Sequence, residues 1–244
     1  MEPTPIKASC PDCRLSELCL PYGLQRDEVK QLATIVKNQR LLQFDDFLYL
    51  LGEECRCLYA VKSGSFRSFI ANGDGLEQTI GFYLPGEIMG LDALQHDRFS
   101  CSTIALETST VCEVPLSRLN SLCNEIPGLQ MQMMRILGKE IASDHDTIVL
   151  LGHRTAIERV ATFLLMLSQR YAALGFSSTT FNLSMRRQDI ANFLGLTIET
   201  VSRQLAELSK QGIITVKQRI IKINDLPSLK TIVNPCAGQQ LTTA

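Results

Sequence analysis

The sequence predicts an α+β fold: a small β-barrel or jelly roll, a long helix, and a winged helix-turn-helix. Three observations support this order. Short β-rich runs broken by turns fill residues 22 to about 125, about 27 residues without an internal proline follow Pro127, and the last third reads as helix, glycine turn, helix and hairpin. A chain of 244 residues suits two modest domains, each with its own core.

Composition narrows the class of protein. The chain is 45% hydrophobic with a net charge of -1. It has no apolar run near the ~20 residues needed to span a bilayer and no signal-peptide pattern at its start. We therefore expect a cytoplasmic protein without a membrane partner. Nine cysteines, an odd number, then indicate thiols that bind metal or pack as small apolar groups rather than a set of disulfides.

The first part of the chain alternates strands and turns. Residues 58–64 and 65–70 are two β-rich runs that meet at Ser63-Gly64. Residues 72–75 form a strong turn before a third run at 78–83, and residues 111–115 form another strand. Closely spaced strands of this kind favour a barrel or jelly roll.

The long helix, predicted over residues 127–154, carries a dimerisation pattern. Six residues follow the alternating three and four spacing of a two-stranded coiled coil, namely Met134, Leu137, Ile141, Asp144, Ile148 and Leu151. Asp144 is the one acidic member, and two such carboxylates at ~4 Å would repel by about 4 kcal/mol at an effective dielectric of 20. The alternatives are a helix that packs only on its own barrel, or a seam that excludes Asp144.

The last third predicts a DNA-binding unit. An amphipathic helix covers residues 156–174, and Ser184 can cap a helix through residues 188–194. The turn Gly195-Leu196-Thr197 then leads into a second helix from Ile198 to about Gln211, followed by a hairpin of 213–216 and 220–223. The residues after Pro235 read as a loose tail.

Three side chains are candidates for base contacts. Glu199, Ser202 and Arg203 lie on the polar face of the second helix within its first two turns. Arginine can grip guanine through two bonds, and glutamate can accept from the cytosine amino group. Between Ser184 and Ile223 seven Lys or Arg stand against three Asp or Glu, which is the local charge expected for DNA binding. The alternative is a helical pair whose polar residues are merely solvated.

Three cysteines near the start have metal-ligand spacing. Cys10, Cys13 and Cys19 are separated by two and by five residues, so their thiolates could surround one metal centre with a fourth ligand from elsewhere. The spacing leaves structural zinc, an iron-sulfur cluster and a redox thiol pair open. Without metal, we expect residues 1–21 to be disordered, because the loop has few apolar side chains to hold it.

Motifs along nearly the whole chain resemble the fumarate and nitrate reduction regulators, the oxygen-sensing branch of the Crp/Fnr family. The resemblance rests on Cys10-Pro-Asp-Cys13 with Leu18-Cys19, Gly81-Phe82 with Pro85-Gly86, and residues 105–115, 132–135, 158–159 and 194–203. It implies that the barrel is a double-stranded β-helix (jelly roll) like cyclic-nucleotide-binding domains. The chain then divides into a cluster segment (1–21), sensor barrel (22–126), dimerisation helix (127–154), DNA-binding domain (155–234) and tail (235–244).

The same resemblance implies the site residues and partners. Cys112 joins Cys10, Cys13 and Cys19 in binding a [4Fe-4S] cluster. Glu199, Ser202 and Arg203 read an inverted repeat like TTGAT-N4-ATCAA in double-stranded DNA, and the turn with Gly75 at its tip contacts RNA polymerase. The protein would be a homodimeric regulator of anaerobic gene expression, not an enzyme.

The sequence departs from the family pattern at two points. Arg14 follows the second cysteine where relatives carry a small polar residue, and no further cysteine stands shortly before Cys10, as it does in some relatives. The stretch from Pro85 to Ser102 lacks an Arg-Ser pair that could clamp a phosphate, which disfavours a nucleotide ligand.

Two rival interpretations are left open. The first is a regulator of the same family that senses a small effector or haem in its barrel, with structural or zinc-binding cysteines. The second is a metal-dependent enzyme fused to a DNA-binding module.

Overall fold

The computed structural model describes residues 10–36, 39–71, 73 and 75–233. The chain forms two compact units, Met1–Ala142 and Ser143–Ala244. Within the described part of the chain, no helix is long and apolar enough to cross a membrane. The two units divide the chain inside its longest helix, and the five-segment division stays a prediction.

The first unit is built on two four-stranded antiparallel sheets, with strand orders β1-β8-β3-β6 and β2-β7-β4-β5. The strands are β1 (Gln39–Leu42), β2 (Phe47–Tyr49), β3 (Cys57–Ser63), β4 (Phe66–Ala71), β5 (Glu77–Tyr83), β6 (Ile88–Met89), β7 (Ser102–Ala105) and β8 (Ser109–Pro115). Leu58, Phe66, Met89 and Val111 are fully buried in one apolar core. The α+β class and the jelly-roll barrel are thereby confirmed.

Two short helices in this unit were not predicted. They are α1 (Arg26–Ile35) and α2 (Leu116–Glu125), which contact each other beside the barrel. Inside α1 only Leu32 is buried, and inside α2 only Leu119 and Leu122 are. Both helices are amphipathic, but each has only ten residues and lies inside the stretch that was interpreted as strands and turns.

The long helix α3 (Pro127–His153) begins at the proline that the sequence singled out. At its start Leu129 is fully buried in the core of the first unit. Further along, the members of the predicted dimer seam reach solvent, as described below. The helix therefore packs on the barrel through one face and leaves another face open.

The second unit contains α4 (Ala156–Ala173), α5 (Arg187–Leu194), α6 (Ile198–Lys210), α7 (Leu226–Val233) and a three-stranded antiparallel sheet of order β10-β11-β9. The strands are β9 (Thr180–Asn182), β10 (Ile214–Lys217) and β11 (Ile220–Ile223). The hairpin prediction is confirmed, whereas β9 and α7 were missed. β9 has three residues with only Phe181 buried, and this is too short for a periodic signal.

One capping prediction was wrong. Ser184 is not at the N-cap of the first helix of the pair, because α5 begins at Arg187 and Arg186 holds the cap position. Helix α5 begins two residues later than that cap requires. Its start is fixed by the Asp189 carboxylate, which accepts a hydrogen bond of 2.7 Å from the backbone N–H of Arg186.

Candidate metal centre and nucleic-acid interface

Four cysteine side chains converge on one small cavity in the first unit. Cys10, Cys13 and Cys19 come from the loop before α1, and Cys112 comes from β8. The cavity has a volume of about 40 Å³ and is lined mainly by apolar side chains besides the thiols. In the described residues, no group of three Cys, His, Asp or Glu side chains is arranged to hold a metal ion as it stands. The thiols therefore share a cavity without closing a coordination site.

The cysteine loop is an ordered chain of tight turns. Backbone N–H groups of Cys13 and Ser16 donate to the carbonyls of Cys10 and Cys13 at 3.2 and 3.1 Å. The expectation of disorder without metal stays a prediction, and residues 1–9 lie outside the described residues. The loop has an apolar anchor that the sequence did not reveal, because Leu20 is buried to 2% exposure in the core.

Two further contacts hold the loop against the rest of its unit. The side-chain amide of Gln132 on α3 donates to the carbonyl of Cys19 at 3.1 Å. Gly86, in the left-handed region at φ 90°, comes so close to Leu18 that an added Cβ would lie 2.8 Å from the Leu18 Cβ. In the sequence, Pro85-Gly86 and residues 132–135 stood out as parts of the family resemblance, and neither contact was predicted.

The strand position of Cys112 gives the cavity a rigid wall. β8 lies between β1 and β3, and Cys112 is paired with Gln39 on one side and Ala60 on the other. Lys62, two residues after Ala60, is the one charged side chain that lines the cavity in the part of the chain described here. No carboxylate or imidazole lines the cavity among the described residues, and a donor set of four thiols fits an iron-sulfur cluster.

Burial raises the pKa of three of these thiols, those of Cys10, Cys19 and Cys112. Burial, followed by the charges of Cys112 and Cys13, raises the pKa of Cys10 to about 11, while Lys62 opposes the rise. Burial also raises the pKa of Cys19 to about 12. The pKa of Cys112 is raised by burial as well, against the opposing effect of Lys62. Metal binding here would therefore release protons.

The remaining cysteines lie elsewhere. Cys55 and Cys101 are buried, Cys57 and Cys123 are half-buried, and Cys236 lies outside the described residues. None of the four described here lines the cavity of the four thiols.

In the second unit, α5 and α6 form the predicted helix-turn-helix. The turn begins at Gly195, in the left-handed region at φ 61°. Thr197 caps α6 by accepting a hydrogen bond of 3.2 Å from the backbone N–H of Thr200. The apolar interior of the helix pair is buried at Ile190, Ala191, Leu194, Val201, Leu205 and Leu208. Leu196 is only half-buried, since it lies in the turn rather than on a helix.

The three candidate base-reading side chains share one exposed face of α6. Glu199, Ser202 and Arg203 are all exposed. The Glu199 backbone N–H and the Thr197 hydroxyl lower the pKa of the Glu199 carboxyl, which is therefore charged at neutral pH. Arg203 has no ion-pair partner within 4 Å among the described residues, so its guanidinium is available to a ligand.

Basic side chains also lie on the hairpin that follows this helix and at the start of α5. The hairpin of β10 and β11 carries Lys217, Arg219 and Lys222. Burial and the neighbouring Arg219 lower the pKa of Arg187, which places two guanidinium groups close together. Arg187 also donates to the carbonyl of Gln218, at the tip of the hairpin, at 3.4 Å. The positive charges of the hairpin and of Arg187 therefore favour the binding of a polyanion.

The predicted dimer seam is exposed in the single chain. Met134, Ile141 and Ile148, spaced by seven residues, are 63%, 56% and 67% exposed, and Asp144 between the last two is exposed. Leu137 and Leu151 are half-buried. An apolar stripe with a heptad spacing is typical of a helix that awaits a partner.

The candidate polymerase contact lies between β4 and β5. Gly75 is exposed at φ 76°, and its neighbour Leu76 is 70% exposed. Asn72 and Asp74 of the same predicted turn lie outside the described residues.

Two protein families match the two units. Residues 39–125 match the family described as "Cyclic nucleotide-binding domain", and residues 158–232 match the "Crp-like helix-turn-helix domain". A sensor-type barrel followed by a DNA-binding domain defines a transcription regulator.

Whole-chain relatives narrow this class. The chain is 42% identical to "Regulatory protein HlyX" of Actinobacillus pleuropneumoniae over 220 residues, which cover 90% of this chain and 92% of that protein. It is 41% identical to the fumarate and nitrate reduction regulatory protein of Escherichia coli K12, covering 90% and 88%. The chain belongs to the Crp/Fnr family of transcription regulators, among its fumarate and nitrate reduction regulators. These relatives confirm that it is a regulator and not an enzyme.

Among solved structures, FixK2 from Bradyrhizobium japonicum is similar over both units. It has a TM-score of 0.75 and 31% sequence identity, and the match covers 81% of this chain and 97% of FixK2. This agrees with the fold and with the family.

Proposed function

We propose that this regulator senses oxygen through a [4Fe-4S] cluster bound by Cys10, Cys13, Cys19 and Cys112. The observation that carries the proposal is the convergence of these four thiols, one of them 93 positions after the nearest of the others, on one apolar cavity. When bound, the cluster would supply an oxygen-sensitive connection between the loop and the barrel.

Residues of this chain connect that cavity to the dimer helix. The side-chain amide of Gln132, on α3, donates a hydrogen bond to the Cys19 carbonyl. Gln132 lies two residues before Met134, the first residue of the seam. Tyr83 of the barrel donates to the Glu140 carboxylate on the same helix at 3.2 Å, next to Ile141 of the seam. A change in the position of the loop would therefore reach the segment of α3 that carries the seam.

The seam is proposed to form a homodimer that is marginal without the cluster. Met134, Leu137, Ile141, Ile148 and Leu151 supply apolar contacts, and Asp144 opposes them by charge repulsion across the two-fold axis. A balance of this kind lets a small structural input decide whether two chains associate. The paired recognition helices would then contact the two halves of an inverted repeat.

The DNA site we propose is related to TTGAT-N4-ATCAA. Glu199, Ser202 and Arg203 would contact base edges, while the basic hairpin and Arg187 contact phosphates. RNA polymerase contact is proposed for the exposed turn at Gly75. Together these features describe a regulator of anaerobic gene expression.

Anaerobic purification tests the sensor. We expect a straw-brown protein with about four iron and four sulfide per chain that loses its colour in air. Cys112→Ser should remove the colour, whereas Cys123→Ser, a matched change of a half-buried thiol outside the cavity, should not. A colourless zinc protein would contradict the cluster, and a sharp haem band would favour a haem sensor instead.

A further inference from the structure

The second unit contains a cleft to which no function has been assigned. It has a volume of about 630 Å³ and lies among the end of α3, helix α4 and helix α7. This volume falls within the range of ~300–1,000 Å³ typical of small-molecule sites. The lining residues of α3 do not belong to the predicted dimer seam, so a dimer would leave this side of the helix open.

The cleft has an apolar floor. Leu150, buried to 6% exposure, and the half-buried Leu165 and Met166 line it. An aliphatic chain placed against these side chains would leave water and gain the usual free energy of apolar burial.

Several hydrogen-bond donors at the cleft are unused within the described residues. The Thr162 hydroxyl oxygen is buried with no hydrogen-bond partner there. The half-buried Arg154 donates one N–H to the carbonyl of Val233, and its remaining donors make no further hydrogen bond there. Lys230, exposed at the rim, makes no ion pair within 4 Å in the part of the chain that the structure describes. Buried or half-buried groups of this kind are normally satisfied, so the cleft offers unused donors.

The charged side chains that line the cleft favour an anionic ligand. Among the described residues, Arg154 and Lys230 line the cleft against one carboxylate, that of the exposed Asp146. Glu158 also interacts with Arg154, but its carboxylate already accepts from the backbone and hydroxyl of Thr155 at 2.7 Å. Arginine forms two parallel bonds with a carboxylate, and lysine adds a point charge.

We propose that this cleft binds an amphipathic organic anion, namely a medium-chain aliphatic carboxylate. The carboxylate would lie between Arg154 and Lys230, and the chain would cover Leu150, Leu165 and Met166. Because such a ligand would contact α3, α4 and α7 together, it would stiffen the second unit independently of the cysteine cavity. The inference therefore stands or falls apart from the proposed oxygen sensor.

Calorimetric titration of the full chain with octanoate tests the proposal. We expect saturable binding, with 1-octanol, the same chain length without the charge, binding about tenfold more weakly because a charged hydrogen bond is lost. Inorganic phosphate, which lacks the chain, should not bind. Equal binding of octanol and octanoate, or binding of phosphate alone, would overturn the proposal.

Variants locate the site. Lys230→Gln should weaken octanoate binding about tenfold, and Thr162→Val should weaken it without lowering the melting temperature, since the buried hydroxyl has no partner to lose. Lys222→Gln, an exposed lysine on the hairpin, is the matched control and should bind like wild type. Unchanged binding in Lys230→Gln would exclude the cleft as the site. Binding that arises only after deletion of residues 234–244 would overturn the proposal in favour of a cleft occupied by the chain's own C-terminal segment.

Discussion

Arg159 connects three backbone segments of the DNA-binding unit through one side chain. Its Nε donates to the carbonyl of Arg154 at 2.9 Å, Nη1 to that of Leu194 at 2.9 Å, and Nη2 to that of Leu151 at 2.8 Å. Leu194 is the last residue of α5, and Leu151 lies in the last turn of α3. The guanidinium therefore caps two helix C-termini, where a positive charge is favoured.

The cost of removing this side chain follows from those bonds. Each hydrogen bond to a charged donor contributes about 1.5–3 kcal/mol when buried. Arg159 is half-buried, so water can hydrogen-bond to some of the carbonyls once the side chain is removed. We therefore assign each of the three hydrogen bonds a net stabilisation of about 1 kcal/mol. Arg159→Ala should then lower the local free energy of opening by about 3 kcal/mol, and Arg159→Lys, which can keep one bond, by about 2 kcal/mol.

Hydrogen exchange, measured by mass spectrometry on the full chain, reports the free energy of opening segment by segment. Amides in α5 and the end of α3 should exchange about a hundredfold faster in Arg159→Ala, because each 1.4 kcal/mol corresponds to a factor of ten. Gln169→Ala, on the same helix α4 and exposed, is the matched control. If Arg159→Lys protects these amides as well as wild type does, the three-bond arrangement does not stabilise the unit and the reasoning fails.

Three further predictions test the proposed sensor and switch. Gly86→Ala should reduce the iron bound per chain after anaerobic purification, because the added Cβ would push against Leu18. The control is Gly175→Ala, at a similar φ of 77° with open space around it, which should leave the iron content unchanged. Equal iron content in the two variants would refute the role of the Gly86–Leu18 contact. Asp144→Ala should bind the TTGAT-type site in air, measured by fluorescence anisotropy, and an unchanged need for the cluster would exclude a role in repulsion. Thr197→Ala should lose about 1 kcal/mol of stability through the missing cap and bind DNA more weakly, with Thr197→Ser restoring both.

Local patterns predicted the parts of this fold that local chemistry decides. Gly195 supplies the left-handed turn, and Thr197 caps the recognition helix, so the helix-turn-helix could be located within a residue or two. Pro127 likewise marked the start of α3. Helices α1 and α2 were missed although both are amphipathic, because they are short and the strand-and-turn interpretation was extended over the whole of residues 22 to about 125.

The candidate metal centre was only partly visible in the sequence. The spacing of Cys10, Cys13 and Cys19 indicated a metal loop, but the fourth ligand, Cys112, came from the family resemblance alone. Gln132 contacts Cys19 across 113 positions, and the close approach of Leu18 to Gly86 also joins distant segments. Contacts over such separations leave no periodic trace, so the side chains that hold the loop had to come from the structure.

The position of Cys112 in the middle of a sheet has a consequence for folding. A metal centre that joined Cys19 to Cys112 would close a chain loop of 93 residues (112 − 19) and restrict the unfolded ensemble. In the chain-entropy treatment of cross-links, a loop of this length stabilises the folded state by about 4–5 kcal/mol. A bound cluster would then act as a cross-link within the barrel. Its loss in oxygen would make the sensor domain easier to unfold and to degrade.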